Sequence, residues 1–135
     1  MHITSAAPLF HRPVRLVFAL LLLGLSLPLL AAPSNKWRIE ADGRSKVDGQ
    51  VEFAFTPEGG GAIPLVVDIP ARTRENDAAR LIRDAVRSQF GEAVYHAEID
   101  DGEDVLVKAK GDTPDFDLSI VRNTAAGLKI ELDRE

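Results

Sequence analysis

The sequence predicts an α+β fold: an antiparallel sheet of about six to seven strands with one amphipathic helix packed on one face, in the order βββ-α-ββββ. Three observations carry this expectation. The stretch from Asn76 to Phe90 repeats its apolar residues at helical spacing. The other segments beyond residue 32 alternate apolar and polar residues, the period of a half-buried strand. Short turn signals separate those segments, which favours antiparallel neighbours.

At about 100° per residue, Ala78, Leu81, Ile82, Ala85, Val86 and Phe90 fill one arc of the helix, with Ala79 at its edge. Arg80, Arg83, Asp84 and Arg87 fill the opposite arc. A helix with two such faces lays its apolar side on something, and a sheet is the available partner. Asn76 suits the N-cap, where its side-chain oxygen accepts an orphan backbone N–H. Thr73 is a rival cap that would place Glu75 and Asp77 in the first turn, where acids complement the helix dipole. Pro70 lies just upstream and cannot lie in the helix interior. Gly91 can adopt the left-handed conformation that ends a helix, and Arg87 suits the last turn.

Trp37, Ile39 and Ala41 alternate with Arg38 and Glu40, and Asp42-Gly43 marks a turn. Val51, Phe53 and Phe55 form a second alternating run, and Leu65, Val67 and Ile69 a third between Pro64 and Pro70. Proline is tolerated at strand ends and edges because no ladder partner waits for its missing N–H. The connection Thr56 to Gly61 joins the second and third runs as a hairpin. Beyond the helix, Tyr95, Ala97 and Ile99 precede Asp100-Asp101-Gly102-Glu103, and Val105, Val107 and Ala109 follow it. Two alternating runs around Asp-Gly are a strong hairpin signal. Phe116, Leu118 and Ile120 make a further strand, residues 123–127 turn the chain, and Leu128, Ile130 and Leu132 make the last.

The first 32 residues stand apart. His11, Arg12 and Arg15 precede the apolar run Leu16 to Leu30, and Ala31 and Ala32 lead into polar residues. This is the layout of a secretory signal peptide. A retained anchor would need roughly 20 apolar residues, and this run is shorter, with Pro28 near its end. The expected organisation is therefore a signal peptide over 1–32 and one α+β domain over 33–135. Cleavage after Ala32 or Ser34 fits the exit. The chain has no cysteine, which argues for a Sec-type export route without a lipid anchor. The expected location is periplasmic or secreted, with no membrane span after signal removal. A domain of this size buries a modest core, and without disulfides it relies on packing alone.

The chain carries 16 basic and 21 acidic residues, a net charge of −5. Loss of Arg12 and Arg15 with the leader makes the remainder more acidic still. The excess of acid lies in the second half, from Glu92 onward. That balance argues against general nucleic-acid binding, which depends on neutralising phosphates.

Chemistry-bearing constellations are sparse. His96 is the one histidine beyond the leader; alone it builds no histidine-rich zinc site, and it reads as an outward strand residue beside Glu98. Asp100, Asp101, Glu103 and Asp104, with Asp112, Asp115 and Asp117 downstream, offer hard oxygen ligands for calcium. Their order does not match an EF-hand loop, and Asp and Gly are what tight turns require. Ser34, Ser45, Ser88 and Ser119 lie in no nucleophile motif. Gly59 to Gly61 lacks the lysine and helix of a phosphate loop. No catalytic residue, metal ligand or cofactor is assigned, and the chain reads as a non-enzyme. The distinctive surface feature is a group of arginines: Arg72 and Arg74 before the helix, and Arg80, Arg83 and Arg87 along its outer face. Such guanidinium groups suit an anionic envelope polymer or an acidic partner. Equally, they describe a solvated helix face, partly neutralised by Asp84 at i+4 from Arg80.

The order from Gln50 to Ile120 resembles small sheet-plus-helix modules of bacterial surface proteins and phage tail proteins. The matching features are VEFAFTPEGGG, IPLVVDIP, the helix NDAARLIRDAV, the hairpin HAEIDDGEDVLVKAKG and PDFDLSI. The resemblance implies a structural or adhesive unit. The helix and hairpin also resemble the start of a BON domain, an envelope module, although that family continues with a second helix where residues 115–132 here alternate as strands. Neither resemblance assigns a functional residue. The expected function is an exported, non-catalytic structural or binding module of the cell envelope. The alternative is a small inhibitor or anionic-ligand binder acting through the arginine face.

Overall fold

The computed structural model describes residues 32–135. Seven strands and one helix occur in the predicted order: β1 Lys36–Gly43, β2 Gly49–Pro57, β3 Ile63–Ile69, α1 Glu75–Phe90, β4 Tyr95–Asp100, β5 Asp104–Ala109, β6 Phe116–Asn123 and β7 Leu128–Arg134. Every strand pairing is antiparallel. Both predicted hairpins form: β2 pairs with β3 across the glycine loop, and β4 with β5 across Asp101 to Glu103. The leader expected over 1–32 lies outside the described residues except for Ala32.

The single sheet expected from the strand count is replaced by two. One has the order β4-β5-β1-β7 and the other β3-β2-β6. The reason is a corner in the backbone. β1 and β2 are successive stretches of one long path, and β6 and β7 are successive stretches of another. The two paths run side by side, so that β1 pairs with β7 and β2 with β6. Between these arms both paths bend, the ladders stop, and individual backbone hydrogen bonds bridge the gap. Arg44 N–H donates to the Gly127 carbonyl at 3.1 Å, Lys46 N–H to Ala126 at 2.7 Å, and Thr124 N–H to Gln50 at 2.9 Å. Twisted strands of this combined length curl or split into packed layers. A register shift between Glu52 and Phe53 adds local bend.

Glycine makes the corner possible. A Cβ on Gly127 would lie 2.3 Å from the Arg44 carbonyl oxygen, and one on Gly43 would lie 2.5 Å from the Gly127 oxygen. Both residues also have positive φ, 95° and 91°, a region where L side chains are strained. The two paths therefore cross at backbone contact.

The helix packs against β3 of one sheet and against β4, β1 and β5 of the other. It buries Ala78, Ala79, Ile82 and Val86. Leu81, Ala85 and Phe90 are only partly buried against this core. The buried stripe is thus turned slightly from the expected one, taking in Ala79 at the expense of Leu81. Small alanines at 78 and 79 let the first turns approach the sheets closely. Behind them, Phe55, Phe90, Tyr95 and Phe116 bring together both sheets and the helix, with ring centroids 4.7–5.6 Å apart. Trp37 Nε1–H donates to the Phe116 carbonyl at 2.8 Å, tying β1 to β6 across the layers.

The helix ends differ in part from expectation. Neither Asn76 nor Thr73 caps it. Arg74 holds the N-cap position with no side-chain cap. Thr73 is engaged elsewhere: its hydroxyl donates to Pro70 O at 2.7 Å, and its N–H donates to Ser45 Oγ at 3.0 Å. Glu75, in the first turn, accepts the Gly43 N–H at 2.8 Å. Gly91 follows the helix and has the expected positive φ, 83°, but with ψ 153° it is not in the left-handed helical conformation; its N–H bonds to Arg87 O.

Two expectations follow for chemical denaturation. Ile82→Ala should cost about 2–5 kcal/mol, the usual range for emptying a buried site, whereas Arg83→Ala should stay within about 0.5 kcal/mol; equal losses would mean the helix faces are misassigned. Gly127→Ala should cost upwards of about 2 kcal/mol, because both its φ and its neighbour oppose a Cβ. Gly61→Ala, with nothing within 4 Å of its added carbon, should be near neutral, and a neutral Gly127→Ala would refute the corner constraint.

Candidate functional site

The corner also gathers charge. Two short segments meet there, Arg44-Ser45-Lys46 and Arg72-Thr73-Arg74. They run antiparallel: Ser45 N–H donates to Thr73 O at 2.9 Å and Arg72 N–H to Ser45 O at 2.8 Å, and Arg44 and Arg74 face each other as a bridge. Each segment is a cation–hydroxyl–cation triplet. The central residues turn inward, Ser45 being 1% and Thr73 8% exposed. Both hydroxyls donate to the Pro70 carbonyl, at 2.6 and 2.7 Å. The middle residue of each triplet is buried, whereas Arg44, Lys46, Arg72 and Arg74 are all exposed. Among the described residues, none of these four side chains has a carboxylate within ion-pair distance. Like charges directly opposite across a ladder are destabilising, so this arrangement carries a cost. Arg72 adds to it with φ 70°, the left-handed region.

The helix arginines are placed differently. Arg80 pairs with Asp77 at 2.9 Å, one turn back, and not with Asp84. Asp84 is taken by its neighbour Arg83, also at 2.9 Å. Arg87 donates through Nε to the Ala97 carbonyl at 3.0 Å and lies 4.0 Å from Glu92. The five arginines grouped by sequence therefore separate into two sets. Arg80, Arg83 and Arg87 have local partners, whereas Arg72 and Arg74 join Arg44 and Lys46. The last two were not singled out from the sequence. The signal that points to them is the repeated triplet, RSK and RTR, within two segments that the chain brings into register.

Two acidic residues of the β4–β5 hairpin, Asp100 and Asp104, also have partners, whereas the Asp101 and Glu103 carboxylates have no ion pair among the described residues. Arg38 Nη1 lies 2.9 Å from Asp100 and 2.8 Å from Asp104, and its Nε lies 2.9 Å from Glu135. These three carboxylates, Asp104 foremost, hold the guanidinium above its ordinary pKa. The hairpin acids thus clamp β4, β5, β1 and the C-terminus together. Beside them a groove of about 250 Å³ is lined by Glu40, Asp42, Glu75, Glu103, Glu131 and Lys129, among others. Asp104 first, then burial and the neighbouring Asp133 and Glu131, raises the Glu40 carboxyl. Among the described residues, no three His, Cys, Asp or Glu side chains are placed to hold a metal ion.

His96 lies between two carboxylates, with Nδ1 on Glu92 and Nε2 3.3 Å from Glu98. The hydrogen bond to Glu92, and secondarily that to Glu98, raises its pKa above 6.5, and Glu92 is lowered in return. Among the described residues the His96 ring hydrogen-bonds to these two carboxylates and to no hydroxyl or amine side chain. It serves as a surface clasp between β4 and the helix-to-β4 connection. No protein-family model matches the chain, and no curated protein is significantly similar to it.

The clasp has a definite pH sign. A histidine whose pKa is raised on folding stabilises the native state below about pH 6.5, and this contribution fades as pH rises through the folded midpoint. In an NMR titration the His96 midpoint should lie above 6.5 in the native protein and move back toward 6.5 in Glu92→Gln. An identical midpoint in the two proteins would show that Glu92 does not act on the ring.

Proposed function

We propose that this protein is an exported, non-catalytic binding module of the cell envelope, periplasmic or secreted. The observation that carries a binding role is the exposed quartet Arg44, Lys46, Arg72 and Arg74, four cations without carboxylate partners among the described residues of an acidic chain. Export is supported by the basic, apolar and small-residue succession in the first 32 residues. A module role is supported by the resemblance of residues 50–120 to surface and tail modules. Among the described residues no helix is long and apolar enough to cross a membrane.

The alternative, an anionic-ligand binder, differs from this reading in what occupies the cations and not in the architecture. It is favoured at the triplet corner over the helix face, because Arg80 and Arg83 already hold carboxylates.

Cell fractionation and mass spectrometry test the export reading. The protein recovered from the envelope or medium should begin between Ala32 and Asn35. Recovery in the cytoplasm, or as an intact Met1 form, would overturn it.

A further inference from the structure

We propose that the corner formed by Arg44-Ser45-Lys46 and Arg72-Thr73-Arg74 is a binding site for phosphate groups. It deepens the binding-module reading, on which it rests only for where the phosphate is met. The argument begins from the two buried hydroxyls. Ser45 and Thr73 share the Pro70 carbonyl as acceptor, and the Thr73 N–H is bound to Ser45 Oγ. These bonds lock the register of the two triplets and so fix which side chains point out. Four cations are then held on a small patch of surface, with Arg44 and Arg74 opposed.

That arrangement is a poor choice for stability alone. A fold that needed only solvated charge there had carboxylates close at hand in the chain. The acids flanking the triplets do not pair with them: Asp48 Oδ1 accepts the Ala71 N–H at 2.8 Å, Glu75 accepts the Gly43 N–H at 2.8 Å, and Asp42 forms no ion pair among the described residues. A single carboxylate from a partner would neutralise one of the four charges. A phosphate carries up to two charges and three acceptor oxygens, and two guanidinium forks can engage it at once. Opposed arginines with flanking cations therefore fit a phosphate, or two phosphates joined, better than an isolated carboxylate.

Calorimetric and NMR titration of the purified protein tests this. The probes are inorganic pyrophosphate and, separately, phosphatidylcholine vesicles with and without phosphatidylglycerol. Amide shifts should concentrate at residues 44–46 and 72–74, and affinity should fall as salt rises. The double change Arg44→Gln with Arg74→Gln should weaken binding at least about tenfold, the loss expected when two charge-assisted contacts go. Its melting temperature without ligand should not fall, since it relieves a like-charge contact. The triple change Arg80→Gln, Arg83→Gln and Arg87→Gln should alter binding less than about twofold, as partnered surface charges do. Pyrophosphate binding without a response to phosphatidylglycerol would assign the site to a soluble phosphate, and vesicle binding would assign it to a lipid headgroup; either supports the proposal. No binding of either probe, or unchanged binding in the double variant, would overturn it while leaving export intact. A cytoplasmic location would overturn the envelope reading and leave these titrations unaffected.

Discussion

The rest of the structure depends on two backbone paths crossing at the glycine corner. Gly43 and Gly127 let the carbonyls of Gly127 and Arg44 approach to a distance that any side chain would prevent. Because single backbone hydrogen bonds bridge the interruption between the two ladders, the bend turns one long antiparallel pair of paths into two layers that face a common core. Backbone N–H and C=O groups at a bend are costly when left unpaired, and here Arg44, Lys46 and Thr124 carry the pairing through. The corner thus creates the space between the layers, and the hydrophobic core of the described residues fills it.

What fills it is the helix and the aromatic group. β3 and β4 bound the helix on either side in sequence, and α1 packs on both. Phe90 at its last turn meets Phe55 of one sheet and Tyr95 of the other. A disulfide-free domain of this size depends on such contacts, because burial of large apolar side chains is its main source of stability. The Trp37 to Phe116 hydrogen bond closes the layers at the end away from the corner.

Charge is distributed by the same geometry. Arg38 is surrounded by Asp100, Asp104 and Glu135 because β1 lies next to β5 and the C-terminus returns beside it. The helix arginines find partners within their own helix or one strand away. The corner cations have no ion pair among the described residues: their inward neighbours are hydroxyls, and Asp48 and Glu75 accept backbone N–H groups. The difference between compensated and uncompensated charge is the ground on which the corner is proposed as a binding surface.

The local features of the chain were legible from its residues. Helical spacing in 76–90, alternation in seven strands, and the Gly-rich and Asp-Gly turns are consequences of side-chain direction along a helix or strand, which neighbouring residues alone determine. They were enough for the α+β class, the element order and both hairpins. The helix stripe came out one residue rotated, because close approach to two sheets rewards Ala79 over Leu81. The division into two sheets, the pairing of β1 with β7 and the meeting of RSK with RTR were decided only in three dimensions. Each depends on contacts between residues far apart in sequence, whose register is set by ladder hydrogen bonds and by what a Cβ would strike. For the same reason Arg72 and Arg74 belong with Arg44 and Lys46 and not with Arg80, Arg83 and Arg87: partnership among charges follows distance through space, and composition carries no record of it.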